Sequence, residues 1–355
     1  MLAVRKKGKI MSIVYITDQG SALYKRNERL YLKKGDQIIR WFHTKDIEQL
    51  IIMGNIALTS QVITYLLKHK IDTVFMSYFG KYKGRLSGEL GKNVQLRIDQ
   101  YNAFQNEEKM LELCKKYVMT KALNSLALLR SYQYRYHNDQ ISKAILQINA
   151  FIQYNIMQAT KPDEVRGFEG IIAKHYFSVF PQLIRNPEFQ FNGRSRRPPL
   201  DEPNALLSLT YTFLMNQVLS KASIAGVDPY MGVLHQVDYG RVSFVLDLME
   251  QFRPLCDHLV IKTLNRKEMR KEHFVYNAYV DSEDDMEGKS LPVALNSDGM
   301  KKIVFAFNSM LKNKYYDSKR NGQFPLENII QEQVYCLCRY IQNKEDYEGF
   351  IWQPE

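Results

Sequence analysis

Three separated positions carry residue types suited to metal and phosphodiester chemistry. The stretch GVLHQVDYGRVSFVLDLMEQFRP, Gly232 to Pro254, contains His235 and then a helix-like run in which Asp247 and Glu250 stand among Val245, Leu246, Leu248 and Met249. The two acids are three residues apart, so a helix puts them on one face, with Ser243 and Pro254 one turn to either side. The other faces carry Val242, Phe244, Val245, Leu246, Leu248, Met249 and Phe252, and a helix apolar nearly all round is usually buried. Two buried carboxylates repel each other and lose hydration, so they require a cation, an arginine or a shared proton. Arg253 follows Glu250 by three residues, and an acidic pair neutralised by arginine at a helix interface is the structural alternative to a functional site.

His235 lies in the glycine-bounded loop YMGVLHQVDYG just ahead of that helix, and Glu169 sits in DEVRGFEGIIAKHYF, Asp163 to Phe177. A lone loop histidine is more often structural than a ligand. Glu169, however, is a further acid in an apolar helical run, flanked by Gly167, Phe168, Gly170, Ile171 and Ile172. Each of the two glycines costs a helix about 1 kcal/mol relative to alanine, a cost that suits the close approach of another backbone or of a ligand. A glutamate, a histidine and a second glutamate with an aspartate beside it form a mixed nitrogen and oxygen set suited to Mg2+ or Mn2+, where a structural zinc would favour thiolates. The imidazole tilts the choice toward manganese. Between these elements, FNGRSRRPPLDEPNALLSLTY presents Arg194, Arg196 and Arg197 beside Pro198 and Pro199. Proline stiffens the segment, and guanidinium forks match phosphate oxygens; the alternative is an exposed basic loop.

The elements that must position these residues change character near residue 95. Before it, short β-prone runs (SIVYIT, RLYLKK, IIRWFH, DTVFMS) alternate with turn-like pieces, interrupted by one helix, SQVITYLLKHK, with Thr59 or Ser60 as its N-cap. FGKYKGRLSG, Phe79 to Gly88, has the pattern of a glycine-punctuated hairpin. After Asn93 the periodicity predicts long helices, among them Lys115 to Leu129, Ile141 to Met157, Asn204 to Lys221 and Ser243 to Leu264. The expected fold class is therefore α+β: a small N-terminal β-rich domain over residues 1–92, followed by a larger all-α catalytic domain over residues 93–355. The 355 residues leave room for two cores. The acidic run DSEDDMEG, Asp281 to Gly288, is expected to be an exposed loop or hairpin tip.

The 49 lysines and arginines against 38 acids give a net charge of +11, which favours a polyanionic partner. One acid-free segment, Leu113 to Asn138, holds Lys115, Lys116, Lys121, Arg130 and Arg135 with Tyr132, Tyr134 and Tyr136 interleaved, either a binding stripe or a solvated helix face. No apolar run approaches the roughly 18 residues of a membrane span, so no membrane partner is expected. The opening MLAVRKKGKI lacks a signal peptide's apolar stretch, which makes the cytoplasm the expected location. Ten residues ahead of Met11 leave open a longer natural fusion. Cys114, Cys256, Cys336 and Cys338 lack zinc-ligand spacing and are expected to be reduced packing residues.

In combination these motifs closely resemble the CRISPR adaptation integrases, the Cas-one endonuclease family, over nearly the whole chain. The family's Gly-x-Glu-Gly block corresponds to Gly167, Glu169 and Gly170, followed by Lys174, Tyr176 and Phe177. Its Arg-Pro-Pro segment corresponds to Arg197, Pro198, Pro199, Asp201 and Asn204 to Ser208, and its Gly-x-Leu-His block to Gly232, Leu234 and His235. Its Leu-Asp-Leu-Met-Glu-x-Phe-Arg-Pro block corresponds to Leu246 to Glu250 with Phe252 to Pro254, and Arg97 and Gln100 fit the pattern at the domain junction. The resemblance implies Glu169, His235 and Glu250 as metal ligands, Asp247 as a nearby acid and Arg253 as a basic residue of the active site. Many family members carry Asp where this chain has Glu250. Lys174, Arg194, Arg196 and Arg197 become candidate DNA contacts. The resemblance also implies a Mg2+ or Mn2+ cofactor, DNA as partner (foreign fragments and the CRISPR repeat), a homodimer built through the β domains, and assembly with the small Cas-two protein. The implied activity is a metal-dependent DNA endonuclease and integrase that inserts fragments as spacers by attack of a 3′-hydroxyl on repeat phosphodiesters. Two other classes remain compatible with the residues: a metal-dependent nuclease acting on RNA or branched DNA, and a non-catalytic basic DNA-binding scaffold.

Overall fold

Short strand-forming runs and long helical periods segregate into two compact units, Met1–Leu90 and Gly91–Glu355. The computed structural model describes residues 12–86, 88, 93–196, 198–278 and 291–354. In the first unit, β1 (Ser12–Ile16), β2 (Ser21–Arg26), β3 (Arg29–Lys34), β4 (Gln37–His43), β5 (Ile47–Met53), β6 (Ile56–Leu58), β7 (Asp72–Met76) and β8 (Tyr82–Leu86) form two four-stranded sheets, ordered β1-β5-β7-β8 and β4-β3-β2-β6. The helix α1 (Ser60–Lys68) starts after Thr59 and buries Val62 and Leu66, one turn apart. Strand β5, IEQLIIM, is buried at every position but one and pairs in parallel with β1 and β7, as expected of a strand covered on both faces. Leu23, Leu30, Leu32, Leu50 and Ile52 join Val62 and Leu66 in the core. The glycine-punctuated run supplies the turn and second strand of an antiparallel hairpin, β7 with β8. Gly80 sits in that turn at φ 86°, a left-handed conformation that glycine adopts at low cost.

The second unit holds α2 (Val94–Gln105), α3 (Glu107–Tyr136), α4 (Asp139–Ala150), α5 (Pro162–Ser178), α6 (Phe180–Leu183), α7 (Glu202–Ala225), α8 (Ser243–Met249) and α9 (Arg253–Asn265). After these come strands β9 (Phe274–Ala278) and β10 (Leu291–Leu295), helix α10 (Ser297–Lys312), strands β11 (Lys314–Asp317) and β12 (Gly322–Pro325), and helix α11 (Leu326–Ile341). The class is α+β, a β-sheet region followed by a helical domain. Two short antiparallel pairs, β9 with β10 and β11 with β12, are inserted in the helical domain; strands of four or five residues leave little periodicity in the sequence. The acidic run 281–288 lies outside the described residues. Helix α7 is buried along almost its whole length and packs against α8, α9 and α11, while α3 packs against α5.

Two expected helices need correction. The run Ile141 to Met157 is α-helical only to Ala150 and continues as a π-helix over Phe151–Ile156. The run Ser243 to Leu264 is not a single helix: α8 ends at Met249, a 3-10 turn spans Glu250–Phe252, and α9 restarts at Arg253. Pro254 explains the break, because a proline lacks the N–H that would bond to residue 250 and its ring clashes with that residue's carbonyl. Glu250 therefore opens the 3-10 turn between the two helices. All four cysteines are buried and free. Among the described residues no helix is long and apolar enough to cross a membrane.

Candidate active site

The loop ahead of α8 is held by one carboxylate. Asp247, 1% exposed, accepts from Val233 N at 2.6 Å and Leu234 N at 3.0 Å through Oδ2, and from His235 N at 2.8 Å through Oδ1. The same Oδ1 lies 2.8 Å from His235 Nδ1. A carboxylate there calls for a proton on Nδ1, which leaves the Nε2 lone pair free, the arrangement that orients metal-binding histidines elsewhere. Close approach of loop and helix depends on Gly232, where a Cβ would stand 2.5 Å from Ser243 C and 2.7 Å from Asp247 Oδ2. From the other side, Gln100 of α2 donates to the carbonyls of Asp228 (2.9 Å) and Met231 (3.1 Å) and accepts from Asp228 N (2.8 Å). Arg166 of α5 donates to Leu234 O at 3.2 Å.

His235 Nε2 faces Glu250, 3.8 Å from Oε1. Glu250 is buried, and its two oxygens are divided between two cations: Oε1 is 2.9 Å from Arg253 Nε, and Oε2 is 2.7 Å from Lys121 Nζ. Lys121 projects from α3 and also pairs with Glu169 Oε1, so its ammonium bridges the carboxylates of α5 and the 3-10 turn. Both contacts are buried ion pairs within hydrogen-bonding distance. Burial by itself would raise the Glu250 pKa, but the charges of Arg253 and Lys121 outweigh it and hold the carboxyl at about 2. Lys121 is likewise desolvated, and Glu250 and Glu169 nevertheless raise its pKa. Arg253 thus neutralises one oxygen of Glu250, and Lys121 the other.

The donor types suit a hard divalent ion: the carboxylates of Glu169 and Glu250, from separate elements, meet at one cation position, and His235 Nε2 lies 3.8 Å from the other Glu250 oxygen, Oε1. In the present arrangement Lys121 holds that position, and among the described residues no three His, Cys, Asp or Glu side chains are gathered closely enough for a metal ion. Asp247, with both oxygens committed to the loop, orients His235 instead of facing the cation. Around Gly167 and Gly170 an added Cβ would meet no described protein atom within 4 Å, so no packed backbone accounts for them; the α5 surface is open there.

Behind Arg253 lies an aromatic support that the sequence reading missed. The Arg253 guanidinium sits 4.7 Å from the Tyr211 ring centre and that of Arg194 at 5.6 Å. Asp257, 2% exposed, accepts hydrogen bonds from Tyr211 and Tyr176. Burial pushes its carboxyl up to about 6, against the lowering effects of the two tyrosines, Arg194 and Arg253. The proposed arginine loop is not uniform. Arg194 turns inward, donating to Asn204 Oδ1 at 2.8 Å and Ser208 Oγ at 3.3 Å; Arg196 is exposed, and Arg197 lies outside the described residues. Lys174 is exposed on α5, five residues past Glu169 and so about 140° round the helix from it. Nor is the basic run of α3 a single stripe, since Lys121 turns inward and Lys116 pairs with Glu112 at 2.5 Å.

A family model described as CRISPR associated protein Cas1 matches residues 14–309. A CRISPR-associated endonuclease Cas1 of Rhodospirillum rubrum is 30% identical to this chain, over 97% of the chain and 99% of the relative. Among solved structures, a casposase bound to integration product superposes with a TM-score of 0.79 at 24% identity, covering 96% of this chain and 93% of the other. A chain of a Cas6-RT-Cas1–Cas2 complex superposes with a TM-score of 0.81 at 22% identity, covering 99% of this chain and 37% of the other.

Proposed function

The chain belongs to the CRISPR associated protein Cas1 family, and from that membership we propose that it is a metal-dependent DNA endonuclease and integrase of CRISPR adaptation. The observation that supports this reading is the meeting of Glu169 and Glu250 at one cation position, with His235 Nε2 3.8 Å from Glu250 Oε1 and its ring held by Asp247. Glu169, His235 and Glu250 would hold Mg2+ or Mn2+. When bound, such an ion stabilises the negative charge that a phosphodiester gains during in-line attack by a 3′-hydroxyl or by water. Asp247 holds the His235 ring through Nδ1, which turns Nε2 toward Glu250. Arg253 fixes the orientation of Glu250 and adds a buried positive charge on the side toward Tyr211. Because one phosphodiester replaces another in strand transfer, the reaction needs no nucleotide cofactor.

The partners follow from the same reading: foreign DNA fragments and the CRISPR repeat, for which the net charge of +11 is suited, and a Cas2 protein, as in the complex named for one structural neighbour. A homodimer through the β-rich unit is supported by edge strand β4, which exposes Ile38 (50%) and Trp41 (47%) together with Ile39; an exposed apolar edge is unusual in a strand with no partner. The test is strand transfer of a 3′-hydroxyl duplex into repeat DNA with Mn2+. Glu169→Gln, His235→Ala and Glu250→Gln are each expected to fall to background while a gel-shift assay still finds DNA bound. Integration retained by any of the three overturns the site, and cleavage of RNA duplexes in preference to DNA would favour the RNase alternative.

A further inference from the structure

The cation that neutralises Glu169 and Glu250 in this structure belongs to the chain itself. Lys121 enters from α3 with its side chain 15% exposed, touches Glu169 Oε1 and stands 2.7 Å from Glu250 Oε2. A Mg2+ or Mn2+ ion draws carboxylate oxygens to about 2.0–2.2 Å, and the oxygens it needs are the ones the ammonium holds. Resting on the metal-site reading above, we propose that Lys121 is a built-in competitor for the divalent ion: its ammonium keeps the two carboxylates paired before the ion arrives, and the ion binds only by displacing it.

Three observations carry this. Lys121 lies on the apolar stripe of α3, where Tyr117, Val118, Ser125 and Leu128 are buried, so the ammonium is aimed at the acids by the packing of the helix. Arg253 already faces Glu250 Oε1, and among the described residues Lys121 is the cation that contacts both carboxylates. Lys121 meets both carboxylates through side-chain atoms alone, so a second cation takes the oxygens over without breaking a backbone bond. Buried Glu250 and half-buried Glu169 repel each other when no cation stands between them, and the lysine removes that cost while the site is metal-free.

Calorimetric titration of Mn2+ into metal-stripped full-length protein tests the idea, with thermal unfolding read in parallel. Lys121→Met is expected to bind Mn2+ about tenfold tighter than wild type, a usual size for coupling between two ligands. It should also unfold at a lower temperature than wild type without metal and gain more on Mn2+ addition. Lys121→Arg keeps the cation and should stay close to the wild-type affinity. If Lys121→Met does not survive stripping, chelator competition from Mn2+-loaded protein measures the same affinity. Mn2+ binding by Lys121→Met that is equal to or weaker than wild type overturns the proposal. Undiminished binding by Glu169→Gln overturns the metal-site reading instead, so the two failures are distinguishable.

Discussion

Asp247 and Glu250 are three residues apart and both buried, yet their surroundings give them different work. Asp247 is saturated by three backbone N–H groups and an imidazole, whereas Glu250 is surrounded by side-chain charge. A third buried acid, Asp257, has neither arrangement, and its carboxyl is held up to about 6 by burial. An acid whose pKa is higher folded than unfolded stabilises the fold below the unfolded value, and that contribution is lost as pH rises through the folded value. From the ordinary 3.8 to about 6, the shift corresponds to about 3 kcal/mol at 1.36 kcal/mol per pH unit. Urea unfolding from pH 4 to pH 7 should therefore show wild type losing about that much relative to Asp257→Asn, which cannot ionise. A stability difference independent of pH would contradict the assignment. At this level the sequence was informative where an acid interrupted an apolar run, as at Glu169 and Glu250. It was silent on Lys121, which stood as one of five cations in an acid-free stretch. The missed signal was its spacing: Lys121 follows Tyr117 and Val118 by four and three residues and so falls on the buried stripe of α3.

Each element brings one part of the site. Helix α5 carries Glu169, α3 carries Lys121, the loop carries His235, and the 3-10 turn forced by Pro254 carries Glu250. The α8–α9 break could have been read from Pro254, since its effect on the carbonyl four residues earlier is steric and local; the uninterrupted apolar pattern concealed it. The loop's path could not be read, because it depends on Gln100 and Arg166, which lie far from it in sequence. Gly232 is where loop and helix come closest, and Gly232→Ala tests that contact. A methyl placed 2.5 Å from backbone must push the loop away, at a cost of about 1–3 kcal/mol for overpacking. The expected outcome is a lower Tm together with weaker Mn2+ binding, as His235 moves from Asp247. A loss of Tm with unchanged Mn2+ affinity would detach loop position from the site.

For the molecule as a whole, the switch from strand to helix near residue 95 was visible in periodicity alone, because strands and helices bury different repeats. The inserted hairpins were too short to register. If edge strand β4 is where two copies meet, Trp41→Lys should convert a dimer to a monomer in size-exclusion chromatography with light scattering, while far-UV circular dichroism stays unchanged. A variant that remains dimeric would place the interface elsewhere. The long-range hydrogen bonds around the 3-10 turn carry a consequence for synthesis. Asn124 holds Gln251 O and Phe350 O and accepts from Trp352 N, while Gln251 accepts from Phe350 N, 99 residues further along the chain, and donates to Tyr347 Oη. A nascent chain that has just exposed Glu250 thus holds every candidate ligand but lacks the strap that fixes the 3-10 turn. At about 5–20 residues per second, translation must run on for about 5–20 s more before that strap can be laid down, a built-in delay between making the candidate ligands and fixing their positions.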